Sequence, residues 1–259
     1  IFASLLETGS PTWLYVSDRL IQFPMGIFAI AIGTILLPTL SKYDLGYEKD
    51  KFINSLQKGQ KFVLYIGVPC LIGLFFCAED LVSTIFYRGA FTEKDVINSS
   101  YSLMAFSFGL PFFMLMKVIT PAFFARKDTK TPMFVAFLSL ILNASLNYYL
   151  AFVLNYGHIG IAIGSSIAAF ISVFILEIML YRNGLVKLKS IFNIFNLNII
   201  ISSLFLIAFL YFFTTSIDFM KINQIQRIFY LSIEITVSVI IYFSISSMIL
   251  KRPFRELFY

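Results

Sequence analysis

Arg19 and Gln22 stand three residues apart at the head of an apolar run, DRLIQFPMGIFAIAIGTILLPTLS, from Asp18 to Ser41. On a helix this spacing sets an amide beside a guanidinium on one face, with Asp18 pointing elsewhere. Leu20 to Leu40 contains no charged side chain, so Arg19 enters a membrane or lies at its rim. A cation beside a hydrogen-bonding group there marks a candidate functional site; the plainer reading is an arginine snorkelling from a helix end. Lys117 is the second such cation. It lies in GLPFFMLMKVITPAFFARKDTKTP, Gly109 to Pro132, nine residues before Arg126. That places it about 13 Å of helical rise from the next polar seam. Pro111 and Pro121 flank it and are expected to kink the helix and open a polar face. Its alternatives are snorkelling or an internal ion pair with a carboxylate such as Glu177. Basic groups at this depth favour an anionic cargo.

A third constellation is Asn143 and Asn147, whose i, i+4 spacing puts both amides on one helix face. They could line a hydrophilic cavity, together with Asp18, or lend oxygens to a small cation. Hydrogen bonding between helices is the commoner use of such residues. Gly157, Gly160 and Gly164, with Ser165 and Ser166, have the pattern of small-residue packing in the following helix.

Catalytic signatures are thin. His158 is the sole histidine, so neither a histidine metal site nor a Ser-His-Asp arrangement can be assembled around a second one. No P-loop motif occurs, and the carboxylates are scattered. The reading is of a non-enzyme, without cofactor or metal. Cys70 and Cys77 stand seven apart in one apolar run, about 10 Å of helical rise, too far for a disulfide.

These side chains must be positioned by membrane helices. Of 259 residues, 59% are hydrophobic and 13% charged, and 31 are phenylalanine, against roughly a quarter charged in soluble domains. The formal charge of +6 is spread over short seams, which fits topology better than nucleic-acid binding. Complete spans are expected at about 20–41, 62–86, 96–125, 132–156, 159–181, 191–217 and 228–250. Residues 1–17, broken by Gly9 and Pro11, read as the end of a truncated and bent span. The chain opens on Ile1 and is expected to be part of a longer one. The continuous runs argue against a transmembrane barrel. Phe52, Ile53 and Leu56 share a face among lysines in seam 42–61, the pattern of a short amphipathic helix on the membrane surface. Asn193, Asn196 and Asn198 open the 191–217 helix, and the last two helices look peripheral.

The seams test the span count, because each crossing must switch sides. Alternate seams hold fourteen lysines and arginines on one side and four on the other. The positive-inside bias then places the C-terminus in the cytoplasm and Arg19 at the outer end of its helix, against the bias. That favours a cavity or ion-pair role for Arg19 over a topology signal.

The stretches 9–41, FYRGAFT at 86–92, 109–132 and GHIGIAIGSS at 157–166 resemble the MurJ/MviN lipid II flippase family, within the multidrug/oligosaccharidyl-lipid/polysaccharide exporter superfamily. The resemblance covers the first two thirds of the chain. It implies an all-α, polytopic helix bundle in which two six-helix lobes form a V around a cationic cavity, followed by two helices edging a lipid-tail groove. Residues 1–185 would be the C-terminal lobe, and 186–259 the two groove helices. The partners implied are membrane lipid, a missing N-terminal lobe of the same protein, and the substrate. That substrate is the undecaprenyl-pyrophosphate-linked disaccharide-pentapeptide, moved from the inner to the outer leaflet of the bacterial plasma membrane by rocking of the lobes. Arg19 would pair with its pyrophosphate, with Gln22 and Lys117 as further binding residues. Gln22 occupies a position where many members carry a carboxylate. The competing readings are an exporter of another polyprenyl-linked sugar or of a drug, and a non-transporting membrane scaffold.

Overall fold

A computed structural model describes residues 2–43, 47–186 and 194–249. Lys187, Lys189, Asn193, the side chain of Asn196, and Lys251, Arg252 and Arg255 lie outside the described residues. Within them the chain is helical, with no strand. Six helices are long and apolar enough to cross a membrane, and a bent pair makes a seventh candidate span.

The first is α1, Ser10–Ser41, a 32-residue helix. Residues 10–17 therefore belong to it, not to a separate truncated span; ahead of them only Phe2–Leu5 forms a single 3-10 turn. The boundary has a local cause. Gly9 adopts φ 107°, which a side chain would resist, and Pro11 sits in the first turn, where its missing N–H has no partner to lose. Within α1, Pro24 leaves an i−4 carbonyl without its donor, and the helix loosens into a π turn over Met25–Ile30.

Next come α2, Lys49–Phe76, and a short α3, Ala78–Phe86. The expected surface helix is not separate: residues 49–61 are the first half of α2. Phe52, Ile53 and Leu56 are buried, and they continue down one side through Gly59, Val63, Ile66 and Gly67. The stripe keeps its phase, so the bundle rather than the membrane surface covers it. Helices α4, Glu93–Ser107, and α5, Leu110–Ala125, meet at 43°. Thr92 and Asp95 form a reciprocal cap at the start of α4, and Pro111 opens α5.

Helix α6, Lys130–Val153, ends in a π turn and leads through Asn155 and Gly157, both at positive φ, into α7, Gly157–Arg182. His158 is thus in the first turn of α7 rather than in a free seam. Helices α8, Ile194–Ser216, and α9, Gln224–Ile249, complete the chain. Helix α8 packs on α2, and α9 on α8 and α3. A buried polar chain joins the three layers: Asn198 donates to Ser246 at 2.8 Å, Ser246 meets the Tyr65 hydroxyl at 2.6 Å, and the Tyr242 hydroxyl donates to the Tyr65 carbonyl at 2.8 Å.

Contacts between distant seams define two ends of the bundle. At one end Glu7 pairs with Lys94, Trp13 donates to Asp95 at 2.7 Å, and the His158 ring meets Trp13 at 4.8 Å. Gln224 donates to the Thr84 carbonyl, and the Arg227 guanidinium lies 4.7 Å from the Tyr87 ring, at the same end. At the other end Gly184 lies beside the Lys49 ammonium.

Candidate functional site: the open polar face of α1 and α5

Helix α1 is buried on the side of Trp13, Val16, Ser17 and Ile21, which packs on α4. Ser17 fastens that contact by donating to the Ser99 carbonyl at 2.7 Å. The opposite side exposes Tyr15, Asp18, Arg19 and Phe23, with Gln22 half-buried beside them. Arg19 stands nine residues, about 14 Å of rise, inside the helix that begins at Ser10. It is therefore well inside its helix, and the end position expected from the sequence is corrected by the helix's earlier start. The aromatic and charged anchors of that end, Trp13 with Lys94 and Asp95, lie about 9 Å nearer the terminus.

The side chains pair differently from the sequence expectation. Gln22 donates to the Asp18 carboxylate one turn back, so amide and acid face each other. The Arg19 guanidinium instead lies 4.9 Å from the Tyr15 ring centroid, a cation–π contact at i, i−4. One i, i+4 row is used by Asp18 and Gln22, the next by Tyr15 and Arg19, and Arg19 forms no ion pair among the described residues. Its donors remain available to a ligand. The Tyr15 ring against Arg19 is a contact that the sequence analysis does not include, although the four-residue spacing is its signal.

Lys117 is exposed while its neighbours Met114, Leu115, Val118 and Ile119 are buried. It forms no ion pair among the described residues, because Glu177 accepts from Gln60 instead. Its backbone lies against Gly33 of α1. That register puts Lys117 about 20 Å along α1 from Arg19, so the two exposed cations do not meet.

Asn143 and Asn147 are turned to α7, not to an open cavity. Their amides meet at 2.7 Å, Asn143 donates to Ser165 at 3.1 Å, and buried Asn147 lies against Gly164. Gly160 lets the Leu150–Ala151 backbone approach, since a Cβ there would stand 2.7 Å from the Leu150 carbonyl carbon. Small residues and amides together close the α6–α7 pair. The rest of α6 exposes Met133, Phe134, Phe137, Leu140 and Ile141.

A face carrying Asp18, Arg19 and Gln22 on a membrane helix is costly against lipid and is at home against a water-filled cavity or another polar surface. Comparison with known proteins follows the same line. Residues 1–230 match the family model described as lipid II flippase MurJ. A probable lipid II flippase MurJ from Vibrio cholerae is 41% identical over 186 residues, 72% of this chain and 35% of that protein. A counterpart from Haemophilus influenzae is 32% identical over 249 residues, 93% of this chain and 48% of its own. A solved structure of lipid II flippase MurJ in an inward closed conformation superposes with a TM-score of 0.79 at 28% identity, over 98% of this chain and 50% of that one. The chain thus spans half or less of the length of these proteins. The helices, their order and the matched sequence agree, and the chain belongs to the lipid II flippase MurJ family.

Proposed function

We propose that this chain is the C-terminal half of a lipid II flippase of the bacterial inner membrane, moving the lipid-linked peptidoglycan precursor from the inner to the outer leaflet. The observation that carries the reading is the unpaired Arg19 on the open polar face of α1. Its guanidinium is held over Tyr15, has no carboxylate partner among the described residues, and is suited to a doubly charged, oxygen-rich group such as a pyrophosphate. Asp18, occupied by Gln22, lines the same cavity without neutralising it. Lys117, farther along the bundle, engages another anionic or hydrogen-bonding part of the cargo.

Residues 1–185 form the C-terminal lobe in this reading, and 186–259 the two helices edging a groove for the lipid tail. The N-terminal lobe of the same protein covers the exposed side of α1 and α6. The end that holds His158 faces outward and the C-terminus lies in the cytoplasm, by the positive-inside bias. Rocking of the two lobes about the cavity gives alternating access.

The test is outer-leaflet appearance of the precursor in cells depending on the full-length protein. Arg19→Ala is expected to stop it at normal expression. Normal flipping by that variant overturns the reading.

A further inference from the structure

Away from Arg19 and Lys117, one pair of carboxyl groups is buried with no cation among the described residues to meet it. Asp80 lies in the first turn of α3 and Glu234 ten residues into α9, and these two helices pack on each other. Asp80 is 6% exposed and Glu234 0%. Oδ2 of Asp80 and both carboxyl oxygens of Glu234 are shut away from solvent and receive no hydrogen bond. The packing of the two helices brings the buried carboxyls into one pocket, close enough for each to feel the other's charge.

Among the described residues, the surrounding groups supply no cation. The titratable side chains that face the pair are Cys77, at the break between α2 and α3, whose weakly donating thiol is directed at Glu234, and Glu79, beside Asp80. On α4, Asp95 is engaged by Trp13 and Thr92, and Glu93 by the Tyr87 hydroxyl. Arg227, two turns before Glu234, gives its guanidinium to the Phe219 and Met220 carbonyls. Among the described residues no lysine or arginine pairs with either acid. No group of three His, Cys, Asp or Glu side chains there is arranged to hold a metal.

Two carboxylates facing each other in a low-dielectric site cannot both be ionised. Protonating one of them removes a charge and creates an O–H that donates to the other. One proton therefore supplies a donor between the two acids and removes the opposed charge, which the thiol of Cys77 does not do. We propose that Asp80 and Glu234 form a proton-binding site between α3 and α9, in which a single shared proton joins the carboxyls and holds α9, with α8, on the rest of the bundle. Losing that proton leaves two negative charges opposed across the helix contact, and α9 loosens.

Infrared difference spectroscopy of the full-length protein in lipid tests this directly. A carbonyl stretch from a protonated carboxyl in apolar surroundings is expected at neutral pH and lost at alkaline pH. It should shift in Asp80→Asn or Glu234→Gln alone and be missing from the double variant. No such band in the native protein, or one unchanged in the double variant, overturns the site. Hydrogen exchange of the α9 amides in the native protein needs no variant. After correction for intrinsic exchange, opening should rise about tenfold per pH unit from the pH where the opened acids ionise up to the pH where the closed pair releases its proton, the slope for one linked proton, and level off above it. Opening that does not change with pH overturns the clamp.

Discussion

The backbone carbonyl of Lys117 lies against Gly33, so near that a Cβ on the glycine would stand 2.7 Å from the oxygen. The second half of α1 and the middle of α5 therefore touch backbone to backbone. This contact sets the register of the two helices and, with it, the spacing of the two open cations.

Gly33→Val should force α1 and α5 apart, because the obstructing atom is main chain and cannot rotate away. Overpacking of this kind costs about 1–3 kcal/mol. A lowered midpoint of thermal unfolding for the full-length protein in detergent is the expected result; an unchanged midpoint would show that the helices separate without loss.

Arg19 and Lys117 should be separable in transport, since about 20 Å of helix lies between them. Arg19→Lys keeps the charge but loses the flat fork stacked on Tyr15, and precursor binding is expected to weaken about tenfold, in line with the loss of one charge-assisted hydrogen bond. Lys117→Ala should reduce flipping while leaving binding of the isolated pyrophosphate group intact. Equal loss of pyrophosphate binding in both variants would contradict the separation.

Trp13 ties α1 to α4 through the indole N–H and Asp95, at 2.7 Å. Trp13→Phe removes the donor and keeps most of the ring. A double-mutant cycle with Asp95→Ala should give a coupling of about 1.5–3 kcal/mol, as for a hydrogen bond to a charged group. Zero coupling in unfolding experiments would mean that the ring's packing alone holds the contact.

Asp128, in the loop before α6, accepts from the Thr131 backbone N–H at 3.1 Å, and this bond holds its carboxyl below the usual aspartate range. A lowered acid in the folded state stabilises above its unfolded value, near about 4, and the contribution is lost as pH falls through the lower folded value. Exchange protection of the Thr131 amide should therefore fall on acidification in the native protein. In Asp128→Ala it should be low and independent of pH; protection that survives acidification in the native protein would place the bond elsewhere.

The sequence by itself determined an all-helical bundle of membrane-length helices and where the small residues and amides of α6 and α7 would meet. Membrane insertion is decided by local apolar length, and packing of Gly160, Gly164, Asn143 and Asn147 by spacing along single helices. Tertiary structure decided the rest. In a membrane chain both lipid-facing and protein-facing sides are apolar, so periodicity did not show that Phe52 and Leu56 belong to a stripe covered by the bundle. Gln22 lies within reach of either Arg19 or Asp18, and only side-chain placement joined it to Asp18 and Arg19 to Tyr15. The start of α1 at Ser10, set by the backbone of Gly9, moved Arg19 from a helix end to nine residues inside the helix. The opposition of Asp80 and Glu234 arises from a contact between distant segments, which no local pattern encodes.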